Sequence, residues 1–439
     1  MDRWYYAKKW FAIFPGFIRP VSATFLHAHY RARSAERSWL RLLIDGIVWL
    51  GFLAWVPFRA RAIARRFGLG AEWAGKASGI GRRRFLDPSE VAIFRIDSDA
   101  DADRFMRRFE YSDISKRINP QAWQRECVLA DKLRFAARCA QYALPTPAIL
   151  AHVARRTITI NALPMVDVTA VKPTRGVGGA GFALMPLPDR EWTRRSFEDW
   201  LREHLARRKG DWIVQPKISG HDGLRDIALN ALSTARITTM RNERGEIEIV
   251  TAALRFAGSA TAVVDNVAAG GLLASIDAAT GRLDAACQGR RPGDIVSHPI
   301  SGARIEGRTL PYWAETRALV LRAHREAFAE YAMIGWDVGM AGVGPVLIEG
   351  NGKPGLFAAQ QAGRAGIGGT RLGDLIVHHL AEAQRLQSHP RGAADPTAAP
   401  SASASQPRIL PLVGKAHSVD IDAAASGGPK SGSRRRRGS

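Results

Sequence analysis

Hydrophobic positions are spaced differently in different parts of the chain. "LLIDGIVWLGFLAWVPF" (Leu42–Phe58) is almost unbroken apolar sequence, the most apolar stretch of the protein. Further on, short apolar runs with period-two alternation predict strands at "TITINA", "VTAVKP", "FALMPL", "DWIVQPKI", "ARITTMRN", "EIEIVTAALRFAG", "IGWDVGM" and "PVLIEGN". "RSFEDWLREHLARRKG" has the helical period, with Gly210 as its stop, and "WAETRALVLRAHREAFAEYA" predicts a helix just before the last two strands. Alternating strand and helix signals give an α+β or α/β class, with α+β preferred. Four regions follow. Residues 1–75 are basic and aromatic, with Trp4, Trp10, Trp39, Trp49 and Trp55, and are expected to be helical. Residues 76–130 read as a short mixed linker, charged and helical in pattern at "DSDADADRFMRRFEYSDISKRINP". Residues 131–386 read as a catalytic region, divided at 210/211 into two subdomains. Residues 387–439, with "SHPRGAADPTAAPSASASQP" and the arginines Arg434–Arg437, cannot bury a core and read as a disordered tail.

Composition narrows the partners. The formal net charge of +22 favours anionic ones: nucleotide, nucleic acid, acidic polysaccharide or an anionic membrane surface. The basic residues are dispersed, and the aromatics of residues 1–58 sit among apolar neighbours, so nucleic acid is not expected. Cys127, Cys139 and Cys287 show no metal-ligand spacing and fit no disulfide framework, which points to a reducing compartment, the cytoplasm. The N-terminus lacks the run and cleavage pattern of a signal peptide. Leu42–Phe58 falls short of the ~20 residues a spanning helix prefers, contains Asp45, and has arginines on both sides. Three readings stay open: a helix lying in a membrane interface, a helix docked on the protein, and a span. The Trp and Arg content favours the first, peripheral to the inner face of the membrane.

The chemistry concentrates in a few stretches. In "IGWDVGMAGVGPVLIEGNGKPG", a turn centred on Val343 puts Asp337 and Glu349 opposite each other, with Cβ atoms ~5 Å apart. Asn351 falls on the same face, and Val346 and Ile348 are expected on the other, toward a core. Paired carboxylates with an amide are hard oxygen ligands that suit Mg²⁺, with Mn²⁺ as a substitute; the bland alternative is a solvated sheet face. "VTAVKPTRGVGGAGFALM" leads an apolar strand into Lys172 and then Gly176, Gly178, Gly179 and Gly181. Such a strand–loop–strand can fold backbone N–H groups over a phosphate, although it is no Walker A sequence and could be a plain surface turn. In "DWIVQPKI", Gln215 and Pro216 interrupt an apolar strand, and Pro216, which removes a ladder donor, is expected to end it and leave backbone groups for a purine. Arg236 and Arg255 lie within strands, where each either steadies developing negative charge or simply pairs with an acid. His152, His221 and His324 are scattered and read as structural or surface residues.

Together these stretches resemble the ATP-grasp superfamily, over about Lys132 to Leu386. The order of "DKLRFAARCAQYALPTP", the "VKP" flap with its glycines, "VQP", the arginine strands and "WDV…VLIEGN" carries the resemblance. Within it, Gln215–Pro216 with His221, Arg236 with Thr238, Asp265–Asn266 with Gly270–Gly271, and Gly335–Asp337 with Gly344–Asn351 are similar to the branch associated with sugar transfer, related to the glutamate ligases. The resemblance implies an ATP-grasp fold of two α+β subdomains. It implies that Lys132 and Lys172 contact nucleotide phosphates under the glycine loop. Gln215 and the backbone through Ile218 would frame the adenine, and Asp222 or His221 would meet the ribose. Asp337, Glu349 and Asn351 would bind Mg²⁺, and Arg255 with Arg236 would steady the transferred phosphoryl group or tetrahedral intermediate. The activity implied is an ATP-dependent carboxylate–amine ligase working through an acyl phosphate, on a small molecule or a surface polysaccharide precursor. A sugar kinase, and a membrane-surface binding protein with a vestigial nucleotide site, are the alternatives. The separate substrate domain usual before the nucleotide domain is missing or reduced, which leaves the acceptor open.

Overall fold

The computed structural model describes residues 24–388 and 418–420, apart from 36, 108, 109, 177, 178, 206, 266, 268, 269 and 290. Trp4, Trp10, Gly178, Asn266 and nearly all of the tail, with Arg434–Arg437, lie outside the described residues. The chain divides into two compact units: a larger one up to Thr146 and again from Ser219, and a smaller one from Pro147 to Ile218 with the strand Ser418–Asp420.

The larger unit begins with helices α1 (His27–Ala35), α2 (Trp39–Phe67), α3 (Ala71–Arg84), α4 (Pro88–Ile93), α5 (Glu110–Ile118) and α6 (Lys132–Gln141). Their ends are chemically marked. Ser38 caps α2, whose last turn closes on Gly68 at φ 67°. Asp87 caps α4 with Pro88 at its first position, and Asp131 caps α6 by accepting from the Leu133 and Arg134 backbone N–H groups at 3.0 and 3.3 Å. Residues 76–130, expected as a charged, mostly helical linker segment, also supply buried core residues. Ala77, Ile80, Leu86, Val91, Phe94, Ile96 and Phe105 form one buried cluster with Ala60 and Ala64 of α2. The helical pattern of residues 97–120 is legible in the sequence, but the burial is not, because the apolar residues stand singly among charges and form no long periodic run.

The smaller unit contains β1 (Ala151–Val153), β2 (Thr157–Ile160), β3 (Val168–Pro173), β4 (Ala183–Pro186), α7 (Arg194–Leu205), β5 (Trp212–Pro216) and, at the far end of the chain, the last strand, Ser418–Asp420. Its sheet runs from that last strand through β2, β1, β5 and β3 to β4, all antiparallel. α7 covers it with Phe197, Trp200, Leu201 and Leu205. β5 lies between β1 and β3, so Gln215 belongs to this unit, whereas α6 with Lys132 belongs to the larger one.

The larger unit resumes with β6 (Thr234–Arg241), β7 (Ile247–Phe256), β8 (Leu272–Ile276), β9 (Leu283–Gln288), α8 (Trp313–Arg322), β10 (Met333–Ala341), β11 (Gly344–Asn351), α9 (Phe357–Gly363) and α10 (Arg371–Ser388). The antiparallel sheet runs β11-β10-β6-β7-β8-β9. One face buries Ile237, Leu254, Trp336, Val338 and Leu347 against Leu319, Val320 and Phe328. The alternation that sends those residues inward presents Arg236, Asp337 and Arg255 on the opposite face. β1, β8 and β9 were not legible as strands; "LLASI" and "LDAACQ" are rich in Ala, Ser and Cys, which carry little strand preference.

Candidate active site

The β10–β11 hairpin pairs Asp337 with Glu349 and Gly335 with Asn351, as expected, but by a different construction. Ala341 pairs with Gly344, so the turn has two residues, and a bulge between Asp337 and Val338 restores the pairing of the carboxylates. The bulge shifts the parity of β11. Leu347 is the core residue, while Val346 pairs with Gly339 and Ile348 lies against that glycine, only half-buried. The expectation that Val346 and Ile348 face the core is therefore corrected. Fully buried Asn119 fastens both ends of the hairpin: it donates to the Gly352 carbonyl at 2.9 Å and accepts from the Ala332 N–H at 2.8 Å. Its only trace in the sequence is the "INP" that ends α5.

A row of partners crosses the sheet from Glu349 through Asp337, Arg236 and Ala253 to Ser275. Arg236 grips Asp337 in a two-pronged ion pair, with its second contact at 2.9 Å, and Arg255 reaches the same carboxylate at 3.0 Å. Arg255 also donates to Thr234 Oγ1 at 2.7 Å, and Thr234 donates to buried Asp265. Lys132, at the start of α6, places Nζ 3.7 Å from Glu349 Oε2. Thr234 and Asp265 complete the cluster and were not singled out as site residues, although Asp265 stands in the quoted "DN…GG" pattern.

These contacts split the two carboxyl groups. Burial alone would raise Asp337, but Arg236 and Arg255 outweigh it and hold the carboxyl far below its usual range. Glu349 is pushed upward, first by burial and then by the Asp337 charge, with Lys132 opposing. Burial also raises Asp265 against the pull of Arg255. Arg255 is held firmly charged: burial would lower it, and Asp337 and Asp265 more than compensate. Two carboxyl groups within hydrogen-bonding reach, one of them raised by the other, form a donor set that a hard divalent cation would relieve. Asn351 stands on their face, with its Oδ1 accepting from the Lys353 N–H at 2.8 Å.

The same sheet face opens on a cavity of about 330 Å³. Arg236, Arg255, Thr238, Thr251 and Ser275 are among the sheet residues that line it, and α9 with the following loop supplies much of the remainder. The size suits a small ligand.

In the smaller unit, Lys172 is buried near the end of β3, opposite Ile213. Gly176, Gly179 and Gly181 follow with φ of 143°, 73° and 81°, all exposed, while Gly178 lies outside the described residues. Buried Gln215 donates its side-chain amide to the Pro147 carbonyl at 3.1 Å. β5 ends at Pro216, as expected; Pro216 is its last paired residue, opposite Thr169, and Lys217 N–H still donates to Val168 O at 3.0 Å. The local ladder with β3 thus takes the Lys217 N–H before Ile218. Asp222, in the larger unit, is exposed and paired with Arg225, beside His221, whose Nδ1 accepts from Gly223 N–H. His324 is structural: burial lowers it to about 4, its Nε2 meets Tyr331 O at 2.9 Å, and its Nδ1 meets Thr239 Oγ1 at 2.7 Å.

Against known proteins, residues 111–372 match the family described as sugar-transfer associated ATP-grasp. No curated protein matches the chain. Among solved structures, it is similar to a D-alanine–D-alanine ligase from Bacillus anthracis complexed with ATP (12% identity, 60% of this chain and 69% of that one, TM-score 0.33). It is also similar to D-alanyl-alanine synthetase A from Vibrio cholerae (12%, 60% and 67%, 0.36) and N5-carboxyaminoimidazole ribonucleotide synthetase from Thermotoga maritima (12%, 51% and 42%, 0.26).

Proposed function

The chain belongs to the sugar-transfer associated ATP-grasp family, and from that premise we propose that it is an ATP- and Mg²⁺-dependent carboxylate–amine ligase of the cytoplasm, acting on a small molecule or a polysaccharide precursor. The observation that carries this reading is the row Glu349–Asp337–Arg236, with Arg255 beside it, on a sheet face that opens on a small-ligand cavity. A substrate carboxylate attacks the γ-phosphate of ATP and ADP leaves; an amine then displaces phosphate from the acyl phosphate, giving an amide.

In the larger unit, Glu349, Asp337 and Asn351 are assigned to the divalent ion, which when bound supplies positive charge at the phosphates. Arg236 and Arg255 are the fixed cations for a carboxylate and for the oxyanion of the tetrahedral intermediate. They need no reorganisation, because Asp337, Thr234 and Asp265 already hold them. Lys132 is assigned to nucleotide phosphate or to Glu349 itself, and Asp222 to the ribose. In the smaller unit, Lys172 and the glycine loop are assigned to phosphates, and Gln215 with the backbone to Ile218 to the base.

The test starts with thermal unfolding in ATP and Mg²⁺, beside Lys172→Met and Glu349→Ala. A ligand at a hundred times its Kd adds about 2.7 kcal/mol. The wild type should shift only when Mg²⁺ is present, and both variants should lose the shift while keeping their ligand-free melting temperature. Amines and carboxylic acids are then screened in pairs for phosphate release with amide formation. A phosphorylated acceptor without amide would make the protein a kinase, and no shift at millimolar ATP would leave only a binding role.

A further inference from the structure

The long helix α2 has two faces of opposite character. Phe52, Val56, Ala60, Ile63 and Ala64 are buried, Phe52 and Val56 beside Phe85, and Ala60 and Ala64 in a cluster with residues of α3 and α4. Asp45, the charge that interrupts the apolar stretch, is on this inward side, paired with Arg37 and with Arg41 at 3.3 Å. The other face is apolar, and no described residue covers it. Leu40, Leu43, Ile47, Leu50 and Phe58 follow one another at helical spacing, with Ala54 between, and Trp39 stands beside them; these large residues are 53% to 76% exposed. From Leu40 to Phe58 the stripe runs about 27 Å at 1.5 Å per residue. The exposed large hydrophobic residues elsewhere are mostly scattered singly, so this patch is distinct in kind.

The charge around the stripe indicates its partner. Arg61 and Arg65 continue the same face beyond Phe58, and both are exposed. α2 holds five arginines against one aspartate, and α3 ends in Arg82, Arg83 and Arg84. A buried opposite face excludes a helix surrounded by lipid, because the packed α3 and α4 would have to enter with it. A helix with one apolar face, a basic end and a domain on its back suits the plane of an anionic lipid surface.

We propose that α2 is a monotopic membrane anchor: its Leu40–Phe58 stripe lies in the acyl boundary of an anionic bilayer, with Arg61 and Arg65 at the headgroups. The stripe precedes the family match at 111–372, so the proposal is independent of the ligase reading.

The experiment is flotation of the full chain with phosphatidylcholine vesicles and with 3:1 phosphatidylcholine–phosphatidylglycerol vesicles. The wild type should float with the anionic vesicles and lose binding in high salt. Ile47→Glu/Leu50→Glu should weaken binding by about tenfold or more, and Arg61→Glu/Arg65→Glu should weaken it on anionic vesicles alone. Both variants change exposed positions, so their melting temperatures and ATP·Mg²⁺ shifts should match the wild type. Three results would overturn the proposal: no flotation of the wild type, equal binding by Ile47→Glu/Leu50→Glu, or a solution dimer that this variant splits without any effect on vesicles.

Discussion

In the β10–β11 hairpin, Asp337 is 4% exposed and grips two guanidinium groups, while in the β3–β4 hairpin Gly176, Gly179 and Gly181 stand in solvent at positive φ. Both connect adjacent antiparallel strands, and both hold residues that the sequence marks for phosphate or metal chemistry. The first fixes its charges by cross-strand register, a bulge and buried ion pairs, so its electrostatics exist before any ligand arrives. The second buries Lys172 at the root of the loop, and beyond it Gly176, Gly179 and Gly181 take backbone conformations that favour glycine. One hairpin is therefore sensitive to loss of charge, and the other to loss of conformational range.

The largest effect that would break this contrast is at Glu349. Glu349→Gln keeps the shape and removes the ionisable group assigned to the metal, so turnover should fall by several kcal/mol in barrier, roughly 10³-fold. Stability should move the other way. The folded state raises the Glu349 carboxyl, so the folded chain holds this proton more tightly than the unfolded chain does. The group's stability contribution is present below its unfolded pKa of about 4.3 and is lost as pH rises through the higher folded value. At neutral pH without metal, Glu349→Gln should melt at the same temperature as the wild type or slightly higher. A large drop in melting temperature would make Glu349 a structural residue and undo its assignment to the metal.

Asp337 should behave in the opposite sense. Asp337→Asn leaves Arg236 and Arg255 without their shared carboxylate, and breaking a buried pair in this way costs about 3–5 kcal/mol. Its folded pKa is depressed, so the stabilisation is present above the unfolded value of about 3.9 and is lost as pH falls through the folded one. Wild-type stability should thus fall in acid over a range where Asp337→Asn changes less. Melting temperatures from pH 7 down to pH 2 check this; parallel curves for the two proteins would show that the carboxylate does not hold the arginines.

The sequence exposed some of this and concealed the rest for identifiable reasons. The Asp337–Glu349 pairing was legible because strands of period two must align around a glycine turn, yet the turn assumed was one residue off and an unseen bulge compensated. Arg236 and Arg255 were legible as strand-borne cations that could pair with an acid, but their shared partner was not: Arg236 and Asp337 are 101 residues apart, and nothing local links them. Asn119 is invisible for the same reason, because its partners lie more than two hundred residues away. The helices of residues 76–130 were legible in pattern at 97–120, but their packing into a core was not, because their apolar residues stand singly among charges. The glycine loop shows its composition plainly in the sequence but not which glycine is indispensable.

That last question sets the smallest prediction. Gly181 has φ 81°, and a Cβ there would approach Trp212 Cη2 at 3.1 Å and Pro173 Cδ at 3.2 Å, whereas at Gly176 the nearest neighbour is Pro173 Cγ at 3.6 Å. Gly181→Ala adds a strained backbone to a tight contact and should cost about 1–2 kcal/mol. Trp212 and Pro173 are opposite each other in the β3–β5 ladder, so the loss should appear as faster amide exchange in β3 and β5 while the β10–β11 hairpin keeps its protection. The ATP-induced melting shift should shrink along with it. If Gly181→Ala leaves exchange and the ATP shift unchanged, the loop does not depend on its left-handed turn, and Lys172 alone would account for what the glycine hairpin contributes.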